Sequence, residues 1–413
     1  MKKRMAPEKT QQRAIVVAGG AGAMGRITVR DLVETAPDDV EIVVADFDMA
    51  AAKKLARSFK REVRPLKVDI CNVKATAKAL KGSFGVIGAI QHQLNLPLME
   101  ACLDAGAHYC DLGGLFHYTR KQLRFHKRFR RAGLLAVLGV GAAPGVVNVM
   151  ARAAADDLDE VHEIHVKVGN IDRTKGRPSS PMGTSYSLST ILDEANMPAA
   201  LFTDGKFTFV EPMTGVEDID FGAPVGRRRP AYTIHSEVAT LPLSFAAKGV
   251  KEVSFRIAFS DELDERLRFL RALGASSDQA ILVGKKKQKV IPREVLMALA
   301  NRIPPQPFEG VPDEHEVLRV VVKGTSKGSL VTETIDCHCP GMPAWGLGVD
   351  VDTGCPPSIL MQMLARGDIP LTAGVLPPEV AIPPAPFFKE LEKRGMRIVR
   401  SRTSTKMPRQ ERT

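Results

Sequence analysis

The stretch Ala14-Ile15-Val16-Val17-Ala18-Gly19-Gly20-Ala21-Gly22-Ala23-Met24-Gly25-Arg26 decides how this chain is read. Ile15–Ala18 is an apolar run too short for a helix and reads as a buried parallel strand. Gly20, Gly22 and Gly25 then form G-x-G-x-x-G where that strand turns into a helix expected to reach about Thr35. Gly20 permits the tight turn, Gly22 lets the backbone approach a pyrophosphate, and Gly25 lets the helix lie close on the strand. The unpaired N–H groups of that helix start, around Ala23 and Met24, attract phosphate. A second apolar strand, Glu41–Ala45, delivers Asp46 to the place where a ribose hydroxyl pair lies in such folds.

The alternation continues outward from this unit. A third strand ends at Asp69, and a fourth, Phe84–Ile90, opens into the loop from Gln91 at the carboxyl edge, where ligands of doubly wound sheets collect. The expected cofactor contacts are therefore Gly20, Gly22, Ala23, Met24, Gly25, Asp46, Asp69, Ile90 and Gln91. An acid at Asp46 repels a 2′-phosphate, so NAD is expected ahead of NADP. Strands at His108–Asp111 and Leu134–Val140 bring the count to six and close a dinucleotide-binding lobe over residues 13–143. Beyond Pro144 the pattern changes to strands with one wet face, as at Val161–Val168 and Val317–Val322, interspersed with helices. The expected fold is α/β: a doubly wound parallel sheet (Rossmann) lobe, then a second α+β lobe with a mixed sheet over 144–350.

The net charge of +11 raises the question of nucleic acid. Residues 1–13 carry +4 and residues 394–413 carry +6, so the body between is close to neutral. With no basic face and no interleaved aromatics, no specific nucleic-acid partner is expected; residues 1–12 and 401–413 read as solvated, disordered ends. No apolar run approaches the ~20 residues of a membrane span, and Met1-Lys2-Lys3-Arg4 is not followed by the apolar segment of a secretory signal. Six scattered cysteines do not make a disulfide framework, and a reduced, cytoplasmic protein is expected. Cys337-His338-Cys339 lacks a second ligand pair at zinc spacing, so no metal is expected there.

Across almost its whole length the chain resembles the saccharopine dehydrogenase-like reductases. The resemblance rests on the glycine loop, on Ala105-Gly106-Ala107-His108-Tyr109-Cys110-Asp111, and on Gly141-Ala142-Ala143-Pro144-Gly145-Val146-Val147-Asn148. In the second lobe Leu192-Asp193-Glu194, Asp204-Gly205-Lys206 and Tyr232-Thr233-Ile234-His235-Ser236-Glu237 look most like the lysine 6-dehydrogenase branch, as do Asp352-Thr353-Gly354 and Gly374–Glu379. The resemblance implies that segment 351–400 returns to the nucleotide lobe and that the protein is a homodimer or higher homo-oligomer. It also implies hydride transfer at a carbon bearing nitrogen, with a small amino acid such as lysine as substrate. A secondary-amine-forming reductase is the alternative within enzymes, and a non-catalytic NAD(P)-binding sensor is the alternative outside them.

Such chemistry needs a proton-handling group that works near neutral pH. His235 and Glu237, two apart, would share one face of an extended stretch and are the first candidates. Asp111, closing the fifth strand, is the next; its other reading is a cap for the following helix. For substrate, the candidates are His92, Tyr186, Tyr232 and, for a carboxylate, Arg229 in the run Arg227–Arg229.

Overall fold

A computed structural model describes residues 13–176, 182, 187–304, 308 and 310–406. Tyr186 lies outside the described residues, as do 1–12 and 407–413. In the nucleotide lobe, β1 (Arg13–Ala18), α1 (Ala23–Thr35), β2 (Val40–Asp46), α2 (Met49–Ala56), β3 (Val63–Lys67) and α3 (Val73–Leu80) are followed by β4 (Gly85–Gly88) and α4 (Asn95–Ala105). Then come β5 (His108–Asp111), α5 (Leu115–Leu123), α6 (His126–Arg131) and β6 (Leu135–Val137).

The second lobe begins with α7 (Val146–Ala155), β7 (Glu160–Asp172), α8 (Leu188–Asn196) and the hairpin β8 (Ala199–Thr203) and β9 (Lys206–Val210). Three two-residue strands follow, β10 (Ile219–Asp220), β11 (Arg227–Arg228) and β12 (Ala231–Tyr232), then α9 (Glu237–Ser244), β13 (Glu252–Ile257) and α10 (Asp261–Ala272). A short hairpin, β14 (Ile281–Val283) and β15 (Gln288–Val290), leads through α11 (Pro292–Ala300) to the long strands β16 (Glu314–Ser326) and β17 (Ser329–Cys339). The chain ends with α12 (Val351–Arg366), β18 (Gly374–Leu376), α13 (Pro378–Ala381), α14 (Pro384–Glu392) and β19 (Arg397–Lys406).

The first sheet is parallel throughout, in the order β18-β6-β5-β4-β1-β2-β3. It has seven strands rather than six, because β18 from the C-terminal segment adds beside β6. No local pattern could show this, since the strand is three residues long and far from its neighbour in sequence. Ile15, Val17, Ile42 and Val44 are wholly buried within it, as near-continuous apolar parallel strands must be. The second sheet is mixed: β13 runs parallel to β7, while β16 is antiparallel to both β7 and β17.

The C-terminal segment binds both lobes. Helix α12 packs on α1, where Gly354 lets the two backbones approach; a Cβ there would stand 2.5 Å from Ile27 Cγ2. Beyond α14, Arg394 donates to both oxygens of Asp31 on α1 at 2.6 and 2.8 Å, a pair almost wholly buried. The sequence pattern predicts a strand at Arg397–Val399 that would close the nucleotide lobe; the strand forms but does not close that lobe. It continues to Lys406 as β19 and pairs antiparallel with β17 on the edge of the second sheet. Residues 401–406 are therefore not a disordered tail, and the end charges are not simply solvated. Arg400 and Arg402 both pair with the buried Glu333 of β17, which gives an exposed edge strand a fixed place.

Candidate active site

The glycine loop makes a cradle with little room for side chains. A Cβ on Gly25 would lie 2.1 Å from Gly19 O, and one on Gly20 would lie 2.8 Å from Val17 O. Gly19 has φ +74° and backs onto Ala89 and Ile90 at the end of β4. Helix α1 begins at Gly22 with no side-chain cap and no acidic residue in its first turn, so its first N–H groups and dipole end remain unneutralised. The Asp46 carboxylate at the end of β2 accepts from Ala21 N and Asp48 N, both at 3.0 Å, which braces the loop. These residues fit a dinucleotide. Ala23, Asp69 and Gln91 are exposed and Met24 and Ile90 half-buried along the same carboxyl edge.

The proton-handling candidates meet at the lobe junction. His235 and Glu237 are not on an extended stretch: Ser236 is helical and caps α9, so Glu237 opens a helix. The turn still brings them together, with His235 Nδ1 2.7 Å from Glu237 Oε2. On the other side of the ring, Nε2 lies 3.6 Å from Glu194 Oε1 of α8. The imidazole stacks on Phe255 of β13 at 3.6 Å between centroids. Burial alone opposes a charge on His235, but Glu237 and Glu194 outweigh it and hold the pKa up at about 10. At neutral pH the two carboxylates therefore favour the imidazolium form of His235. Glu237 Oε1 is buried with no hydrogen-bond partner among the described residues.

Glu194 has a neighbour of equal importance. Asp193, also buried, receives Arg293 Nη1 of α11 at 2.5 Å and stands 3.7 Å from His92 Nε2 of the nucleotide lobe. Burial lowers the His92 pKa, Asp193 raises it and Arg293 lowers it, with a net downward shift. A cavity of about 470 Å³ opens beside this pair, lined by Gln93, Asp193, Asp278, Arg293 and Glu294 among others.

Other candidates have structural employment. Asp111 is wholly buried and accepts four hydrogen bonds, from Tyr109 Oη (2.8 Å), Gln122 Nε2 (2.5 Å), Gly113 N (2.9 Å) and Gly139 N (2.7 Å). With both oxygens occupied it ties three segments of the nucleotide lobe together. Tyr232 lies under the Arg256 guanidinium, 3.9 Å from the ring centroid, and its hydroxyl accepts from Arg256. Arg229 is exposed and so does not join the buried group. Cys337 and Cys339 are buried side by side in β17, and burial pushes both thiols up. Among the described residues no group of three or more His, Cys, Asp or Glu could hold a metal ion.

Sequence reading passed over Asp193, Glu194 and Arg293 as site residues. Asp193 and Glu194 stood in a stretch singled out for resemblance; Arg293, a hundred residues further on, carried no local signal. Two other such stretches prove to be scaffold. Asn148 Nδ2 of α7 donates to Glu379 Oε2 of α13 at 2.8 Å, and Ser244 Oγ donates to the other oxygen at 2.8 Å.

Comparison with known proteins accords with this arrangement. The saccharopine dehydrogenase NADP binding domain matches residues 15–137, and the saccharopine dehydrogenase C-terminal domain matches 141–396. The chain belongs to the saccharopine dehydrogenase family. It is an NAD(P)-dependent oxidoreductase of amine-containing substrates. It is 26% identical over 400 residues to carboxyaminopropylagmatine dehydrogenase of Synechocystis sp., covering 93% of this chain and 96% of that one. It is 24% identical over 302 residues to carboxynorspermidine synthase of Vibrio cholerae, 68% and 71% of the two chains. In fold it matches saccharopine dehydrogenase (L-Glu forming) of Saccharomyces cerevisiae with a TM-score of 0.70 at 16% identity, over 95% of this chain and all of that one. Homospermidine synthase of Legionella pneumophila matches with a TM-score of 0.67 at 14% identity, over 95% and 92%. These relatives do not single out the lysine 6-dehydrogenase branch. Among the described residues no helix of the enzyme is long and apolar enough to cross a membrane.

Proposed function

We propose that the enzyme reduces the imine formed between an amino acid bearing a side-chain aldehyde and a polycationic amine, giving a secondary amine, with NAD as the preferred cofactor. The observation that carries this reading is the protonated His235 held between Glu237 and Glu194, with Glu237 Oε1 left unpaired. When bound, the dinucleotide supplies the hydride in this direction and accepts it in reverse. The chain's own part is proton and charge. As the C–H bond forms, the C=N electron pair passes to nitrogen, and a proton from His235 Nε2 completes the N–H bond. The two flanking carboxylates hold that proton until the nitrogen becomes basic enough to take it.

Charge supports a cationic amine. Asp193, Glu194 and Glu237 cluster with His92, His235 and Arg293, and the adjoining cavity adds Asp278 and Glu294. A guanidinium or second ammonium at the far end of the amine suits that cavity, whereas a purely anionic substrate does not. The similarity to carboxyaminopropylagmatine dehydrogenase over nearly the full length of both chains points the same way. For the cofactor, Asp46 at the ribose position favours NAD.

The test is a nicotinamide absorbance assay in both directions. NADH consumption is expected only when an amino-acid aldehyde and agmatine or a diamine are both present. Reduction of NAD by lysine alone, with no reaction of the two-component mixture, overturns the proposal.

A further inference from the structure

Two helices of this enzyme start side by side at the edge that receives the dinucleotide, and only one start is fitted for phosphate. α12 runs parallel to α1, and their contacts advance together along both helices. Thr28 Oγ1 donates to Gly354 O at 2.7 Å, Ser358 Oγ to Asp31 Oδ2 at 2.6 Å and Gln362 Nε2 to Thr35 Oγ1 at 2.8 Å. α12 also packs on β4 and β5, on the side of β1 away from Asp46. With the adenosine half of a dinucleotide at Asp46, that side takes the nicotinamide half. The first turn of α1 carries no acid, whereas α12 is preceded by Asp350 and carries Asp352 in its first turn. A helix start neutralised in this way repels phosphate and suits a cation.

Behind this turn lies an acid pair. The Asp352 carboxyl, 2% exposed, meets that of the half-buried Glu316 on β16. Asp352 Oδ2 is buried with no hydrogen-bond donor among the described residues, while Thr353 Oγ1 reaches Oδ1 at 3.2 Å. An ionised carboxylate only accepts, so two of them make a stable contact only when one carries a proton. The ionisable groups facing the pair are acids and thiols: Glu314 of β16, Asp350, and Cys337 and Cys339 of β17. Asn170 of β7 donates to Glu316 at 3.4 Å, and Arg228 is bonded to Asn170 O rather than to either acid. On α1, Arg26 is exposed, Arg30 is turned to Trp345 O and Asp31 to Arg394. His315, His338 and Arg397 belong to the alternate face of the sheet. Burial raises both carboxyls above their ordinary values, and the charge of Glu316 raises Asp352 further. With two carboxyls and no third ligand, the pair does not make a metal site among the described residues.

We propose that Asp352 and Glu316 are a counter-charge for the nicotinamide ring, sharing one proton in the free enzyme and with the reduced ring, and giving it to water when the cationic oxidised ring binds. The O–H bond of the shared carboxyl breaks, both acids become carboxylates, and the proton leaves past the half-buried Glu316. The positive ring then meets two negative charges instead of one. During turnover the same loss of a proton matches the charge that the ring gains as its hydride leaves. This counter-charge serves the ring common to both dinucleotides and does not depend on the amine substrate proposed above.

The test is isothermal titration calorimetry of the full chain with NAD and with NADH, each in two buffers of different ionisation enthalpy, between about pH 6 and 8. The wild type is expected to release about one proton per NAD bound and none from this pair per NADH. By linkage, NAD then binds more tightly as pH rises, by up to about tenfold per pH unit, while NADH affinity stays flat. Asp352→Asn keeps a donor for Glu316 and fixes the pair at one negative charge. It is expected to abolish both the release and the pH dependence with NADH affinity unchanged, and Glu316→Gln to do the same. His235→Gln is expected to keep both. Equal proton counts for NAD and NADH in the wild type overturn the proposal, and that comparison needs no variant to fold. So does a release that survives in Asp352→Asn and Glu316→Gln, or one that disappears in His235→Gln.

Discussion

The two halves of the candidate site are built in opposite ways. The dinucleotide cradle is almost entirely local: thirteen consecutive residues plus Asp46, held by backbone geometry and two N–H contacts to one carboxylate. The proton-handling group gathers Glu194 from α8, His235 and Glu237 from the start of α9, and Phe255 from β13. Its neighbours are Asp193, beside Glu194 on α8, and Arg293 and His92 from two further segments, one of them in the other lobe. A cradle can be local because phosphate is recognised by backbone groups that every residue carries. A buried imidazolium cannot, because each charge it needs nearby must be desolvated and paired, and one short stretch cannot bring enough carboxylates to one atom.

This contrast can be broken at either half. The largest effect is expected from Gly25→Val, where even the first side-chain carbon collides with Gly19 O. Nucleotide affinity should fall at least about a hundredfold, or roughly 3 kcal/mol, in a calorimetric titration. Retention of wild-type affinity would show that the cradle is not the binding element.

Next comes His235→Gln, which keeps polarity and removes the titrating proton. A fall in kcat of ~10²–10⁴ is expected with NAD affinity unchanged. The same variant carries a stability signature. Because the folded pKa of His235 is raised to about 10 from an unfolded value near 6.5, its contribution is full below about pH 6.5 and is lost as pH rises through 10. Wild-type Tm should therefore decline over that window more steeply than that of His235→Gln. Parallel curves with near-normal turnover would make the histidine a packing residue only.

The smallest effect is expected at Asp46. Hydrogen bonds to a charged acceptor contribute about 1.5–3 kcal/mol, so Asp46→Ser should weaken NAD by one to two orders of magnitude while NADP loses little. Equal losses for both nucleotides would mean that Asp46 serves mainly as the brace for Ala21 and Asp48.

The division between what was legible and what was not follows the range of the forces involved. The sequence by itself determined the nucleotide lobe, because strand, glycine turn, helix and acid follow one another within about thirty residues and each signal is steric or periodic. It also pointed to His235 and Glu237, which are close enough in chain to meet whether the backbone is extended or helical. Tertiary structure decided the electrostatics of His235: its burial opposes a charge, while Glu237 beside it and Glu194, arriving from forty residues away, favour one. It also decided that Asp111 is saturated by four donors, that Arg394 pairs with Asp31, and that Arg402, which read as part of a solvated end, joins Arg400 in pairing with Glu333. The seventh strand was hidden for the same reason, as were the extension of the Arg397–Val399 strand to Lys406 and its place beside β17. A short or charged segment joins a sheet when a neighbour offers it an open edge and a buried acid, and neither is written in the segment itself.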